Sequence, residues 1–311
     1  MTTLHTVYGS IHGATRVEYH SNGALRSCTA GEASPLATPW GVFIPQYTAA
    51  EVRRRQLPII EFYENGLLKS LPLETQAEIR TPAGTMPAEL ITFHETGALR
   101  RVFPLNGTLN GYWTQENEDA LAAPVAIDTP LGRLDVRVVG VHFGKTGLMR
   151  SITLWPGTKL DVDTPAGRIP VRNGIAFHSN GAIESVEPDM PVEITTPIGT
   201  VHAFNPDAVG ICGDINSLCF DGEGNIVHVV TAMDCVQVIM PDGRRVQHAP
   251  SVRESYCEEA VNETVPMTFS FMKNQLKVCA GEVFEYSMGT CLFSIKRTLG
   301  GFTLPRFVCS L

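Results

Sequence analysis

The sequence predicts an all-β fold, an elongated antiparallel array of β-hairpins closed by a C-terminal β cap. Three observations predict it. One hairpin pattern recurs six times, a second turn pattern alternates with it, and the chain carries 28 Gly and 21 Pro in 311 residues. Gly and Pro at that frequency suit a chain that turns often. A hydrophobic fraction of 43% and a charged fraction of 18% support a buried core rather than disorder.

The first pattern runs from Val17 to Ser27 and returns at Ile60–Ser70, Ile91–Arg101, Val141–Ser151, Ile175–Ser185 and Leu218–His228. Apolar residues alternate before the turn, as Val17 and Tyr19 do, which marks a strand with one buried face. A three-residue loop follows, Ser21-Asn22-Gly23 in the first copy. Its last position needs a left-handed backbone, which Gly adopts without a Cβ clash. All six copies place Gly there. This register pairs Tyr19 with Leu25 on the inner face and Glu18 with Arg26 on the outer one. The second copy repeats it as Phe62 with Leu68 and Glu61 with Lys69.

The second pattern is Thr38-Pro39-Trp40-Gly41, repeated at Thr81–Gly84, Thr129–Gly132, Thr164–Gly167 and Thr196–Gly199, with Met240–Gly243 as a looser sixth copy. Pro presets φ at the second turn position and Gly suits the fourth. With all four residues as loop, Ile79 pairs with Met86, Ile127 with Leu134, Val162 with Ile169 and Ile194 with Val201. The unit is therefore two hairpins joined by a short link. Such a unit cannot bury its apolar face alone, so neighbours must stack.

Departures from the pattern are also readable. Leu105–Pro124 and Asn205–Asn216 interrupt it as insertions, which in such arrays lie on one surface and sometimes carry function. Thr48 and Glu51 form a capping-box signal for a short helix over Ala49–Arg55. After about residue 250 the pattern fades, and strand-like alternation continues over Met267–Ala280 and Val283–Ile295. Gly300-Gly301 marks a last turn before the apolar stretch Phe302–Leu311. The expected organisation is a hairpin array over 1–250 and a capping region over 251–311, whose role is to cover an open sheet edge.

The form Phe177-His-Ser-Asn-Gly-Ala-Ile-Glu-Ser185, and its counterpart Phe62–Ser70, resembles the short variant of the MORN-type repeat. That variant runs aromatic-x-x-Asn-Gly-x-Leu-x-Ser in successive hairpins. The chain departs from it in spacing, because the Thr-Pro-x-Gly hairpin intervenes between copies. The resemblance implies a MORN-like or β-solenoid-like scaffold or binding protein, with no family chemistry to carry over.

Charge and motif content narrow the function classes. A net charge of −8 argues against nucleic acid as a partner, because phosphate neutralisation needs clustered cations. Met1–Ser10 lacks the basic start and apolar stretch of a signal peptide, and no window is apolar enough to span a membrane, so a cytoplasmic location is expected. Seven of the eight cysteines lie after position 210, without a Cys-x-x-Cys pair. They read as reduced core residues rather than zinc ligands. His20, His94 and His178 share one position before the turn, which suggests either an imidazole ladder or a freely varying exposed site. His228 near Cys235, and His202 before Cys212, are not diagnostic of a thiolate pair. No Gly-x-Ser-x-Gly occurs. Asp214, Asp221 and Glu223 read as loop carboxylates, and the Gly-rich stretches as turns rather than phosphate loops. No catalytic, metal or cofactor site is therefore expected.

Trp40, Trp113 and Trp155 either cover core ends or serve recognition. Tyr112 and Trp113 in the first insertion, beside the acidic run Glu116–Asp119, form the candidate binding pair, an apolar anchor with a polar rim. The expected function is a non-enzymatic scaffold that binds a protein or other macromolecule. The alternative is a polysaccharide-acting enzyme with its site in a groove of the array.

Overall fold

A computed structural model describes residues 2–49, 52–54, 56–208, 213–254 and 262–297. They form a nearly all-β protein organised as two compact units, divided after Trp155. The Gly300-Gly301 turn and the apolar stretch after it lie outside these residues, as do positions 209–212 of the second insertion. Of the expected helix over Ala49–Arg55, positions 50, 51 and 55 also lie outside, while Val52 and Arg53 form a turn. Among the described residues the helix is Gln115–Asp119, inside the first insertion.

In the first unit, neighbouring strands pair antiparallel in chain order. They are Thr2–Thr6, Gly9–Tyr19, Leu25–Thr29, Ile60–Phe62, Leu68–Thr81, Gly84–Phe93, Leu99–Phe103, Val138–Phe143 and Met149–Leu154. The second unit repeats this meander with Leu160–Thr164, Gly167–Phe177, Ile183–Pro188, Leu218–Phe220, Ile226–Thr231, Met267–Met272, Gln275–Ala280 and Glu282–Ser287. Small separate sheets complete it, including Asp234–Ile239 between Arg245–His248 and Leu292–Arg297.

The core is a set of cross-strand rows. Leu71, Ile91, Val102, Val141 and Ile152 are successive register partners in the first unit, each at most 1% exposed. In the second unit Ile175, Val186, Leu218, Val229, Phe269 and Val278 form the same kind of row, each fully buried. Burying each such side chain contributes about 1.5 to 3 kcal/mol. The other face carries polar rows, such as Ser27–Glu61–Ser70–Thr92–Arg101–His142–Ser151.

All six copies of the first pattern fold as the same hairpin. Gly23, Gly66, Gly97, Gly147, Gly181 and Gly224 have φ from 80° to 88°. The loop has the three residues expected: His20 N donates to Ala24 O at 2.8 Å, and Gly23 N to His20 O at 3.0 Å, the bonds of a type I turn closed by a left-handed glycine. Tyr19 pairs with Leu25 and Phe62 with Leu68, as the sequence predicts. The next pair differs. Glu18 faces Ser27 and Glu61 faces Ser70, because a β-bulge at Arg26 and Lys69 on the returning strand shifts the register just before the aromatic residue. Arg26 and Lys69 still reach the two glutamates, at 3.9 and 3.2 Å. Tyr19 is 58% exposed, so the first hairpin lies at a margin rather than over the core.

The second pattern is tighter than its sequence suggests. Thr81 and Gly84 pair with each other, leaving a two-residue loop. The Thr81 hydroxyl donates to Gly84 O at 2.8 Å and accepts from Ala83 N at 3.0 Å. The predicted partners of Ile79, Ile127, Val162 and Ile194 are all observed. Thr6-Val7-Tyr8-Gly9 makes the same turn without proline. Met240–Gly243 does not. Its Met240 N to Arg244 O and Gly243 N to Met240 O bonds are those of the first pattern.

Replacing Gly66 with Val adds a Cβ into open space, so its cost isolates backbone strain. Gly66→Val is expected to destabilise by roughly 1 to 3 kcal/mol in urea unfolding. An unchanged midpoint would contradict the left-handed turn.

Candidate functional site

The first insertion is built around a buried charge cluster. Arg53 comes from the turn before Ile60 and inserts between two carboxylates. Its Nη1 and Nη2 donate to Glu89 at 2.9 and 2.8 Å, and its Nε and Nη2 donate to Glu118 at 2.7 and 2.6 Å. The side chains are 13%, 7% and 7% exposed. A guanidinium forked onto two carboxylates gives strong, direction-fixing bonds. Glu89 lies on the strand Gly84–Phe93 and Glu118 on the helix, so the cluster anchors the insertion to the sheet.

The rest of the insertion bonds to the same groups. Asn106 N donates to Glu89 at 2.7 Å, Gly107 N to Glu118 at 3.0 Å, and Trp113 Nε1 to Glu118 at 2.6 Å. A Cβ on Gly107 would run into the Glu118 carboxylate, which is the physical reason for glycine there. Thr114 caps the helix and forms a capping box with Asn117. Asn110 holds the turn Asn110–Trp113 through its side chain, donating to Val52 O at 2.9 Å and accepting from Tyr112 N at 2.9 Å. Asp119 accepts from Arg137 at 3.1 Å and from Trp155 Nε1 at 2.5 Å.

The structure therefore separates the two candidate binding residues. Trp113 turns inward, half-buried, with its indole N–H held by Glu118. Tyr112 sits at the turn tip, 71% exposed, flanked by Leu109 at 53%. The acidic rim is also divided, since Glu118 is buried in the cluster and Glu116 stays outside. Burial alone would raise the Glu118 carboxyl. Bonds from Arg53, Trp113 and Gly107 hold it below the usual carboxylate range instead.

The other candidates have local roles. His20, His94 and His178 do not meet one another. Each donates an Nε2–H to the carbonyl of the aromatic residue in the next hairpin: Phe62 at 3.0 Å, Phe143 at 2.9 Å and Phe220 at 3.0 Å. The Tyr63 hydroxyl does the same to Phe93 O at 2.9 Å. The three histidines are not a metal ladder, and where this position holds His or Tyr it ties one hairpin to the next, while Gly144 and Asp221 fill it in the other two copies. Asp221 closes its own turn by accepting from Glu223 N and Asn225 N. His202 is held by Asp234 at 2.8 Å. Cys212 lies outside the described residues. Cys28 is buried, and burial pushes its thiol up to about 11, the behaviour of an apolar core residue. Trp40 donates to Gly97 O at 3.3 Å, and Trp155 is 6% exposed. Among the described residues no three His, Cys, Asp or Glu side chains are placed to hold a metal ion, and no helix is long and apolar enough to cross a membrane. Comparisons with protein-family models, with curated proteins and with solved structures find no match.

Arg53→Met leaves two buried carboxylates without their counter-charge and is expected to cost about 3 to 5 kcal/mol. The lowered Glu118 value sets the pH dependence. Its contribution is complete above the unfolded-state value and is lost as pH falls through the folded one. Urea melts at descending pH should show this loss below the normal carboxylate range, and Glu118→Gln should flatten it.

Proposed function

We propose that the chain is a non-enzymatic, repeat-built binding protein of the cytoplasm that uses the first insertion to contact a protein partner. The observation that carries this reading is Tyr112. It stands 71% exposed on a turn whose flanks are fixed by a buried Arg53–Glu89–Glu118 cluster. Rigid display of an aromatic residue lowers the ordering cost of binding, and tyrosine is enriched among residues that dominate interface energy. Leu109 beside it and Glu116 on the helix supply an apolar margin and a charged rim. The recurrent hairpin supports a scaffold reading, since in four copies the side chain after the aromatic residue ties to the next hairpin rather than to a shared reacting centre.

Tyr112→Ala should leave the chain folded and weaken partner binding by about 2 kcal/mol, roughly thirtyfold in Kd. The measurement is capture from source-cell extract by wild type and variant, followed by titration of the captured protein. Equal capture by both proteins, with the fold intact, would overturn the assignment.

A further inference from the structure

The polar face of the second unit carries a site of different character. Ser185, Cys219, His228 and Ser270 are successive register partners there, and Glu187 and Ser217 lie beside them. Asn205, Ala208 and Asn216 of the second insertion bond to this face. Arg172 Nη2 donates to Asn205 O at 2.7 Å, Asn173 Nδ2 to Ala208 O at 2.6 Å, and Asn216 Nδ2 to the Ser185 hydroxyl at 2.8 Å. Gly174 permits the approach, because a Cβ there would run into Gly213 and Asn216. Between face and insertion lies a cavity of about 260 Å³, lined by Asn173, Glu187, Asp207, Asn216, Ser217 and His228 among others. That is room for a small molecule.

Glu187 is the unusual member. It is 2% exposed. Its Oε2 accepts from the Ser217 amide at 2.9 Å and from the Ser217 hydroxyl at 2.6 Å, while its Oε1 has no hydrogen-bond partner. A buried carboxylate oxygen left without a donor is costly, and the cost falls when a ligand supplies one. No Lys or Arg lines the cavity, whereas two carboxyls, Glu187 and Asp207, do. Burial pushes the Glu187 carboxyl up to about 7, against the pull of Ser217 and Arg172, and it raises Asp207 as well. Burial lowers His228, which keeps that imidazole neutral near pH 7.

We propose that this cavity binds a small organic cation through a primary ammonium group that donates to Glu187 Oε1. An ammonium offers three donors in a compact head, which suits an acceptor-lined cavity. It also brings a positive charge into hydrogen-bond contact with Glu187, which Arg172 on the paired strand reaches only at longer range. Arg253 stands 3.6 Å from Asp207 and offsets that group, so Glu187 is the primary contact. Neutral polyols match the size but not the charge, and anions meet two carboxyls.

The test titrates the intact chain with three probes of matched length, putrescine, butanediol and succinate, at millimolar concentration. Binding is read from the backbone amide signals of Ser217 and His228. Putrescine is expected to shift both signals, and the other two probes neither. Glu187→Gln should weaken putrescine binding at least tenfold.

Wild-type affinity should also fall about tenfold per pH unit below pH 7, as Glu187 takes up its proton. The titratable and charged groups around Glu187 are Arg172 on one paired strand, Cys219 on the other with its thiol pushed up by burial and so neutral, and Asp207 and His228 lining the same cavity. His228 charges only at lower pH, and its charge repels the cation in the same direction. Should Glu187→Gln fail to fold, the wild-type pH profile still decides. Equal binding of butanediol with no pH dependence overturns the proposal in favour of a hydroxyl site. Binding of succinate, or of no probe, overturns it outright.

Discussion

The architecture depends on one backbone irregularity, the β-bulge that follows each glycine turn. In all six hairpins the register shifts between the aromatic residue and the one before it. The extra residue lets two apolar side chains three positions apart point to the same side. Leu68 and Leu71, Leu99 and Val102, Met149 and Ile152, and Ile183 and Val186 are such pairs, all buried. Without the bulge the second member would face outward, since strand side chains alternate. The buried rows across both units follow from this shift.

The bulge also explains the hairpin-to-hairpin ties. It leaves the position after the aromatic residue at the margin of the ladder, where a His or Tyr side chain can bend toward the next strand. The donated bond gives the aromatic residue's carbonyl in the next hairpin a side-chain partner. Gly144 fills this position in the fourth copy and has no side chain to offer, and that copy is the last of the first unit.

The two insertions attach to the sheet by different physics. Leu105–Pro124 is fixed by ionised groups, with Arg53 between two carboxylates whose oxygens all find donors and two indole N–H groups on Glu118 and Asp119. Such a cluster holds shape and makes Tyr112 a fixed feature of the surface. The described parts of the second insertion are held by side-chain amides and two guanidiniums, Arg172 on Asn205 and Arg253 on Asp207, and the buried Glu187 beside them keeps an oxygen without a partner. A carboxylate with every oxygen bonded suits a structural joint, and a buried one with an oxygen unpartnered suits a ligand site.

The sequence by itself determined the local geometry. Gly at the left-handed position and Thr-Pro-x-Gly at the tight turn specify their hairpins through φ limits and short-range hydrogen bonds, so both were legible one residue at a time. The three-residue apolar spacing, as in Leu68 and Leu71, also announces the bulge, although simple alternation hides it. Tyr112 and Trp113 were legible as an unusual pair, but their division into a displayed ring and a buried one was not. That division depends on Glu118 meeting Arg53, 65 positions away. Glu187 carries no sequence signal, because its character comes from a strand partner thirty positions on and from insertion residues beside it. Tertiary structure decided those sites because desolvation and charge compensation depend on which distant groups share a volume, and chain order does not encode that proximity.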